Sequence, residues 1–308
     1  MIPAPWRFES PILHPSILKP QPDTPTPSPP STPKGPPMPP LLIDTHCHLN
    51  HPPLNTNPAA VLQRAQAQGV TRVITPAYDR ASWLPILDLA RNPGIFPALG
   101  LHPWVADQCP TPQELQDALA QAIATASQRV VAIGEIGLDT KIENADLPQQ
   151  MAVLKAQLAL AADLDLPVIL HCRGAFHDLV AAVKAHGGRL RGVVHAWTRG
   201  PELVQAFYPT GLLFGLGGAV TRPNAKQARR AAKVLPLSRI VLETDAPSIG
   251  LQGVRPEETE PRHVADVAAA LAAIKEEDLA TVAAATTRNA EELFGPSLSG
   301  KTRPDGIR

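Results

Sequence analysis

Leu41-Leu42-Ile43-Asp44-Thr45-His46-Cys47-His48 is the stretch around which the rest of the chain is organised, because an apolar run leads directly into a His-x-His pair. Alternate side chains of an extended strand point to the same face, so His46 and His48 project together while Cys47 points away. Two imidazoles at the end of a buried strand can bind one divalent metal ion. The stretch therefore predicts a buried strand that ends in two metal ligands.

The composition argues against several classes of protein. The chain has 308 residues, and its 28 Lys and Arg residues balance 28 Asp and Glu residues, so it lacks the positive charge on which tight, sequence-independent duplex binding usually rests. We therefore expect any DNA substrate to be weakly held. Three widely spaced cysteines argue against a disulfide framework and favour a cytoplasmic location. The sequence has no apolar run of membrane-spanning length, and it indicates no obligate protein partner.

The first forty residues differ in composition from the rest of the chain. Residues 1–40 hold 15 of the 36 prolines, and Gln21 to Pro40 is mostly Pro, Ser and Thr. Proline fixes φ and removes backbone donors, so this composition predicts a disordered or polyproline-like tail. Two alternatives are a ligand for a proline-recognition domain and a true translation start at Met38. We expect the folded domain at 41–295 and a second disordered tail at 296–308.

From residue 41 onward, short apolar runs alternate with segments of helical periodicity. Eight such runs predict strands at Leu41–His46, Arg72–Pro76, Ile95–His102, Val130–Glu135, Pro167–His171, Gly192–His195, Leu212–Gly217 and Arg239–Asp245. Amphipathic segments predict helices at Ala59–Gln68, Pro112–Ser127, Gln149–Leu164, Ala175–His186, Ala225–Val234, Arg262–Lys275 and Glu277–Ala284, with a short one ending near Phe294. This alternation predicts an α/β fold of the TIM (β/α)8 barrel type. A doubly wound open sheet is disfavoured, since no Gly-rich nucleotide-binding loop follows an early strand.

Further candidate ligands lie at the ends of later predicted strands, where the active sites of barrel enzymes are found. They are Glu135, His171, His195 and Asp245. Each residue alone has a structural explanation, such as a core histidine or a turn carboxylate, but their joint placement is hard to explain that way. Four histidines and two carboxylates are too many donors for one tetrahedral ion and suit two divalent ions.

Two neighbouring dications repel each other, and a shared carboxylate offsets that repulsion. Glu135 is the candidate bridge, and the other ligands divide between the ions, with His46, His48 and Asp245 on one and His171 and His195 on the other. A water between the ions would be hydroxide near neutral pH. Asp245 can accept its proton and pass it to a leaving group, so Glu135 and Asp245 are the candidate catalytic residues.

Two residues near the same strand ends are candidates for substrate binding. His102 closes the third predicted strand, and Arg173 lies two residues beyond His171. Both can meet an anionic group, and the guanidinium fork suits phosphate. The alternatives are that His102 holds a carboxylate in place and that Arg173 forms a local ion pair. Trp104 and Trp197 follow strand ends and either stack on a base or pack loops over the barrel.

The order and spacing of these residues resemble the TatD family of metal-dependent hydrolases, within the amidohydrolase-like barrels. The matching stretches are Ile43–His48, Gly100–Pro103, Gly134–Asp139, Pro167–His171, Gly192–His195 and Leu242–Pro247. The resemblance is strongest to the YjjV-like members, judging by Leu235–Leu237 and Gly217–Thr221. It implies two metal sites that share Glu135, with His46, His48 and Asp245 at one and His171 and His195 at the other. It also implies hydrolysis of ester bonds, with nuclease activity in some members.

Two segments depart from the family pattern. His195–Gly200 replaces a His-x-Phe-Ser-Gly stretch, and Arg255–Arg262 replaces an Arg-Asn-Glu-Pro-like segment. Both are expected in loops at the rim.

The expected function is hydrolysis of DNA phosphodiesters from an end, with two Mg²⁺, Mn²⁺ or Zn²⁺ ions as cofactors. One alternative is a metal-dependent hydrolase of an amide, lactone or carboxylic ester, because metal-activated hydroxide attacks carbonyl and phosphorus centres alike. The other is a non-catalytic metal-binding scaffold.

Overall fold

A computed structural model describes residues 40–109, 111–295 and 298. Eight parallel strands form one sheet in chain order, with each strand hydrogen-bonded to the next. The strands are β1 (Leu42–Asp44), β2 (Val70–Pro76), β3 (Ile95–Leu99), β4 (Ala132–Asp139), β5 (Val168–Arg173), β6 (Gly192–Val194), β7 (Leu213–Leu216) and β8 (Ile240–Leu242). The predicted tails and the alternative start at Met38 lie outside the described residues, except for Pro40 and Leu298.

The first and last strands also meet, which closes the sheet into a barrel at the C-terminal ends of the strands. The backbone N–H of Thr45 donates to Leu242 O at 3.0 Å. Next to it, the buried Asp44 carboxylate accepts hydrogen bonds from the Thr244 N–H at 3.0 Å and the Thr244 hydroxyl at 2.6 Å. In a doubly wound sheet β1 would be an inner strand far from β8, so the predicted TIM barrel is confirmed and the open sheet is excluded.

Nine α-helices follow or flank these strands in the described part of the chain. They are α1 (Pro58–Ala67), α2 (Trp83–Leu89), α3 (Pro112–Thr125), α4 (Leu147–Asp163), α5 (Phe176–Lys184), α6 (Pro201–Phe207), α7 (Lys226–Val234), α8 (Val264–Lys275) and α9 (Leu279–Phe294). The start of α3 has a side-chain cap: the Thr111 hydroxyl accepts from Glu114 N at 3.1 Å, and proline occupies the first helical position. Among these helices, none combines the length and apolarity needed to cross a membrane.

Alternate residues of the strands belong to two different hydrophobic clusters. Leu42, Ile133 and Leu170 pack in a large cluster with side chains of the surrounding helices. Their strand neighbours Ile43 and Ile169 pack in a separate cluster, which also contains the end of α9. We infer that this second cluster fills the lower barrel, which leaves the upper rim for polar side chains.

Phe294, at the end of α9, is the largest side chain of that second cluster, and only 2% of its surface is exposed. Phe294→Ala should lower the free energy of unfolding by about 3–5 kcal/mol, because truncation opens a cavity that the rigid strands cannot close. Urea unfolding measures the change. Leu84→Ala is the matched control: Leu84 is 77% exposed, and its loss should change stability by less than about 0.5 kcal/mol. A similar small change for Phe294→Ala would contradict this packing.

Strand β4 is longer than predicted. The sequence pattern predicts its end at Glu135, whereas β4 pairs with β5 as far as Asp139, opposite Arg173. The reason is Gly137, which has φ +154°, and a Cβ there would come within 1.9 Å of His171 O. A glycine inside a strand usually weakens it, but here Gly137 lets two strands approach closely. The extension places Asp139 beside the predicted ligands.

The last helix was wrongly divided. The prediction had one helix over Glu277–Ala284 and a short one ending near Phe294, but α9 is continuous. Thr286 lies mid-helix, and its hydroxyl donates to Val282 O at 2.9 Å, one turn earlier. Asn289 fixes the same helix to the barrel, since its amide donates to the carbonyls of Leu237 and Ile240, both at 2.7 Å. Tertiary contacts therefore override the weak local helix propensity of this stretch.

Candidate metal centre

The six predicted ligands converge at the C-terminal ends of the strands. Five of them line a cavity of about 290 Å³, while His46 lies fully buried beneath it. Glu135 and His171 lie within β4 and β5, and the other four ligands follow the ends of β1, β6 and β8. The barrel therefore brings together residues that are up to 199 positions apart in sequence, as the strand-end argument predicted.

The first group of donor atoms lies on the side of β1 and β8. The Nε2 atoms of His46 and His48 are 3.3 Å apart. Asp245 Oδ1 lies 3.7 Å from the former and 3.4 Å from the latter, and Glu135 Oε2 lies 3.3 and 3.6 Å from them. The donor atoms of His46, His48 and Asp245 all lie within 4.8 Å of one another, so a single cation could meet two imidazoles and a carboxylate, with Glu135 Oε2 beside them.

The second group lies on the side of β5 and β6. His195 Nε2 is 2.7 Å and His171 Nδ1 is 3.0 Å from Glu135 Oε1, and these two nitrogens are 3.3 Å apart. His102 Nε2 lies 3.2 Å from the same carboxylate oxygen. Thus the two oxygens of Glu135 face different groups, Oε2 the first and Oε1 the second.

This arrangement fits divalent cations. Two imidazole nitrogens 3.3 Å apart can share only one proton, and that contact occurs twice, between His46 and His48 and between His171 and His195. A cation between the paired nitrogens would be bound by both lone pairs. Imidazole and carboxylate are the ligand types of zinc and of other first-row divalent metals.

The charges in the metal-free protein are strongly coupled. Burial alone would raise the pKa of Glu135, but His195, His102 and His46 together hold it well below its usual value. Burial also opposes a charge on His195, but the Glu135 carboxylate raises its pKa to about 10. Burial and the neighbouring His195 lower the pKa of His46 to about 4. The site is therefore an anionic carboxylate surrounded by imidazoles, and cation binding must displace the proton of His195.

Asp139 is a functional candidate that the sequence analysis quoted only as part of a family stretch. Its buried Oδ2 lies 2.9 Å from His171 Nε2 and accepts from the Trp104 indole N–H at 2.7 Å. Burial would raise the pKa of Asp139, but these hydrogen bonds lower it to about 2. The carboxylate thus fixes the ring of His171 so that Nδ1 faces Glu135, as partners of metal-binding histidines commonly do. The sequence signal was its position four residues beyond Glu135 on one strand.

Asp139→Asn should weaken metal binding by about 10- to 100-fold, because a neutral amide no longer orients or polarises the His171 imidazole. Titration of the metal-free protein with Zn²⁺ or Mn²⁺ in a calorimeter measures the change. Asp165→Asn is the matched control, since Asp165 forms only a surface pair with Arg191 and its side chain is 83% exposed. Equal affinities for the Asp139 and Asp165 variants would show that the carboxylate has no role in the site.

Glu243 is the second residue that the sequence analysis did not assign. It is fully buried, its Oε1 accepts from Ala196 N, and it lies 4.0 Å from His195 Nδ1. Burial raises its pKa to about 7. Gly215 makes room for it, because a Cβ there would come within 2.2 Å of Glu243 Oε2. Its buried position, two residues before Asp245, was the available signal.

The two predicted substrate-binding residues occupy different positions. His102 is 3% exposed and contacts the Glu135 carboxylate, as its alternative interpretation expects. The Arg173 side chain is 51% exposed at the rim, where Nη1 lies 3.5 Å from Asp139 Oδ2. The geometry therefore places His102 within the centre and Arg173 at its edge, where its remaining donors face solvent.

The two tryptophans also differ in position. Trp197 is 2% exposed and packs edge-on against Phe207 and Phe214, so it is a core residue and cannot stack on a base. Trp104 is 45% exposed and lines the cavity. Of the two stacking candidates, only Trp104 can meet a substrate.

The sequence comparison decides the family. A family model described as TatD related DNase matches residues 43–295, which is more than half of the chain. The chain belongs to this family. The protein is thus a TatD-family metal-dependent hydrolase, and the predicted family resemblance is confirmed.

The match to each of the following relatives spans nearly the whole length of that relative. The Escherichia coli K12 protein called uncharacterized metal-dependent hydrolase YjjV is 37% identical over 82% of this chain and 97% of its own. Its crystal structure matches with a TM-score of 0.77 over the same shares. Bacillus subtilis YabD, also called an uncharacterized metal-dependent hydrolase, is 33% identical over 82% of this chain and 99% of its own. The human protein called deoxyribonuclease TATDN3 is 30% identical over 82% of this chain and 94% of its own.

The two segments that depart from the family pattern contribute little to the centre. The Arg199 guanidinium stacks over the Phe176 ring at 4.9 Å, and Arg255 pairs with Glu257 and Glu258. Among the described residues, only His195 from these segments lines the cavity. The departures therefore leave the candidate metal centre intact.

Proposed function

We propose that this protein is a two-metal phosphodiesterase that removes nucleotides from an end of a DNA strand. The observation that carries the proposal is the division of the Glu135 carboxylate between two groups of donor atoms, with Oε2 toward His46 and His48 and Oε1 toward His171 and His195. The name of the human relative supports DNA as the substrate. Two bound divalent ions would supply an activated water and neutralise charge on the phosphate.

The side chains of this chain position the reaction. Glu135 keeps the two donor groups close together, since one carboxylate lies within 3.6 Å of nitrogens from both. Burial would raise the pKa of Asp245, but its hydrogen bond with His48 and the charges nearby keep it low. An ionised Asp245 at the cavity wall can take the proton of the attacking water and return it to the leaving oxygen.

The surface favours weak, end-directed binding over tight duplex binding. On α7, Arg230 pairs with Glu202 at 2.9 Å and Lys233 pairs with Glu276 at 3.0 Å, so two of its basic residues already have carboxylate partners. The net charge of the chain is zero. Without an excess of positive charge, the affinity for the DNA backbone must come mainly from the centre itself. We also propose a cytoplasmic location, which the three free cysteines Cys47, Cys109 and Cys172 support.

A substrate panel tests the proposed function. Metal-free protein is loaded with Mg²⁺, Mn²⁺ or Zn²⁺ and incubated with single-stranded DNA, duplex DNA, a lactone and a carboxylic ester. We expect mononucleotides from the DNA, fastest from single strands, and none from Glu135→Ala. Equal rates for wild type and variant under every metal would refute the proposal. Hydrolysis of the lactone or the ester alone would reassign the chemistry to carbonyl substrates.

A further inference from the structure

One wall of the cavity is aromatic and does not belong to the six predicted ligands. Tyr78, which follows β2, and Trp104, which follows β3, both line it. Their ring centroids are 6.4 Å apart with an interplanar angle of 82°, so the two rings meet like the sides of a corner. We call Tyr78 and Trp104 the aromatic corner.

The orientation of Trp104 is fixed although nearly half of its surface is exposed. Its indole N–H donates to Asp139 Oδ2 at 2.7 Å, and its ring stands edge-on to His102 at 5.1 Å and 89°. Its exposed fraction is 45%, so one face of the ring is open to the cavity that it lines. An exposed ring held in one orientation is preorganised, because little side-chain entropy remains to be lost when a ligand stacks on it.

Tyr78 is supported from below. Its ring stacks on the buried His102 at 5.2 Å and 28°, and His102 in turn contacts Glu135. The backbone of Tyr78 is held by the Ser82 hydroxyl, which accepts from Tyr78 N at 3.2 Å. Its phenol hydroxyl makes no hydrogen bond within the described residues, so it is available to a ligand. The corner therefore adjoins the carboxylate at the centre through a single layer of imidazole.

We propose that the aromatic corner seats the unpaired base of the terminal nucleotide while its phosphodiester lies over the metal centre. This inference rests on the proposed function and names the part of the substrate that the site recognises. A planar base can stack on one ring and meet the other edge-on, and every base has a π-face, so the seat accepts different bases.

The size of the cavity limits what can enter. Its volume is about 290 Å³, at the lower end of the roughly 300–1,000 Å³ of ligand pockets, which suits one nucleotide unit. A base inside a duplex is already stacked and paired, and seating it costs a few kcal/mol of unstacking, which is least for a single-stranded end. The aromatic corner therefore favours single-stranded or frayed ends.

The test compares two oligonucleotides that differ only at the terminal residue, one with adenine and one with a tetrahydrofuran abasic unit. Stacking on an aromatic side chain contributes about 1–3 kcal/mol per base, which corresponds to about 5- to 150-fold. In the wild-type holoenzyme we expect kcat/KM for the adenine end to exceed that for the abasic end by at least about tenfold. The ratio should fall towards one in Tyr78→Ala and Trp104→Ala, mainly through a higher KM for the adenine end.

Further variants separate stacking from other roles. Trp104→Phe keeps an aromatic face but loses the hydrogen bond to Asp139, so the ratio should be largely retained. If Trp104 acts only by holding Asp139, Trp104→Phe would slow both substrates equally. Tyr208→Ala is the matched control, because Tyr208 is 47% exposed, lies outside the cavity and contacts Arg239. Its ratio should equal that of the wild type.

The comparison of adenine and abasic ends also distinguishes a failure of the aromatic-corner proposal from a failure of the proposed function. Equal rates for adenine and abasic ends in the wild type would overturn the aromatic corner and leave the phosphodiesterase intact. If neither oligonucleotide is hydrolysed, calorimetry with dAMP and deoxyribose 5-phosphate decides. Tighter binding of dAMP that Trp104→Ala abolishes would support the corner while the phosphodiesterase proposal fails. Equal binding of the two would overturn both.

Discussion

Glu135→Gln should reduce kcat/KM for DNA by at least about 10²- to 10³-fold with every metal, the size of effect seen when one key electrostatic group is removed from an active site. The substitution keeps the shape of the side chain and removes its charge. A neutral amide offers only one oxygen, so it cannot face both donor groups as Oε1 and Oε2 do, at 2.7 Å from His195 and 3.3 Å from His46. Steady-state kinetics with metal at saturation measure the loss.

The control for Glu135→Gln is Glu202→Gln. Glu202 forms a surface pair with Arg230, and its side chain is 70% exposed. The control should keep wild-type kinetics, and circular dichroism should show the same folded barrel for both variants. If Glu135→Gln retained more than about a tenth of the activity while folded, a loss far below that expected for such a group, the shared carboxylate would have no place in the mechanism.

Asp245→Asn should lower kcat for DNA by about 10²- to 10⁴-fold, the usual contribution of a positioned acid–base group. The variant retains both histidines of its donor group, so kcat should fall more than metal affinity. A substrate whose leaving group needs no proton gives a sharper test of the acid–base role. A p-nitrophenolate leaves without protonation, so the loss should be much smaller with a p-nitrophenyl phosphodiester than with DNA.

Asp88→Asn is the control for this experiment. Asp88 pairs with Arg91 on the surface, and its side chain is 74% exposed. Both substrates should be hydrolysed at wild-type rates by this variant. An equal loss for DNA and the p-nitrophenyl ester in Asp245→Asn would show that Asp245 does not protonate the leaving oxygen.

Much of the fold could be predicted because each strand carries its own signal. Short apolar runs that lead into His or carboxylate residues, as in Pro167–His171 and Arg239–Asp245, mark where the parallel strands lie. Because strands and helices alternate regularly along the chain, only a few strand arrangements are compatible with the sequence. The closure of the barrel depends on the buried contact between Asp44 and Thr244, 200 residues apart, and no local pattern reports such a contact.

The parts that escaped prediction depend on contacts between distant segments. Gly137 breaks the strand pattern in sequence, yet it lets β4 run on to Asp139 against β5. Thr286 lowers helix propensity, yet α9 continues through it because Asn289 is bound to the barrel. Asp139 and Glu243 lie in stretches that match the family, but their contacts with His171 and His195 form only in the folded barrel.

The most direct test of the central claim is the metal content of the protein. Metal-free wild type and Glu135→Gln are reconstituted with Zn²⁺ or Mn²⁺, freed of excess ion and analysed by mass spectrometry for metal per chain. The account predicts two ions per wild-type chain and a loss of at least one in Glu135→Gln. One ion or none in the wild type, or two ions held equally by both proteins, would contradict it.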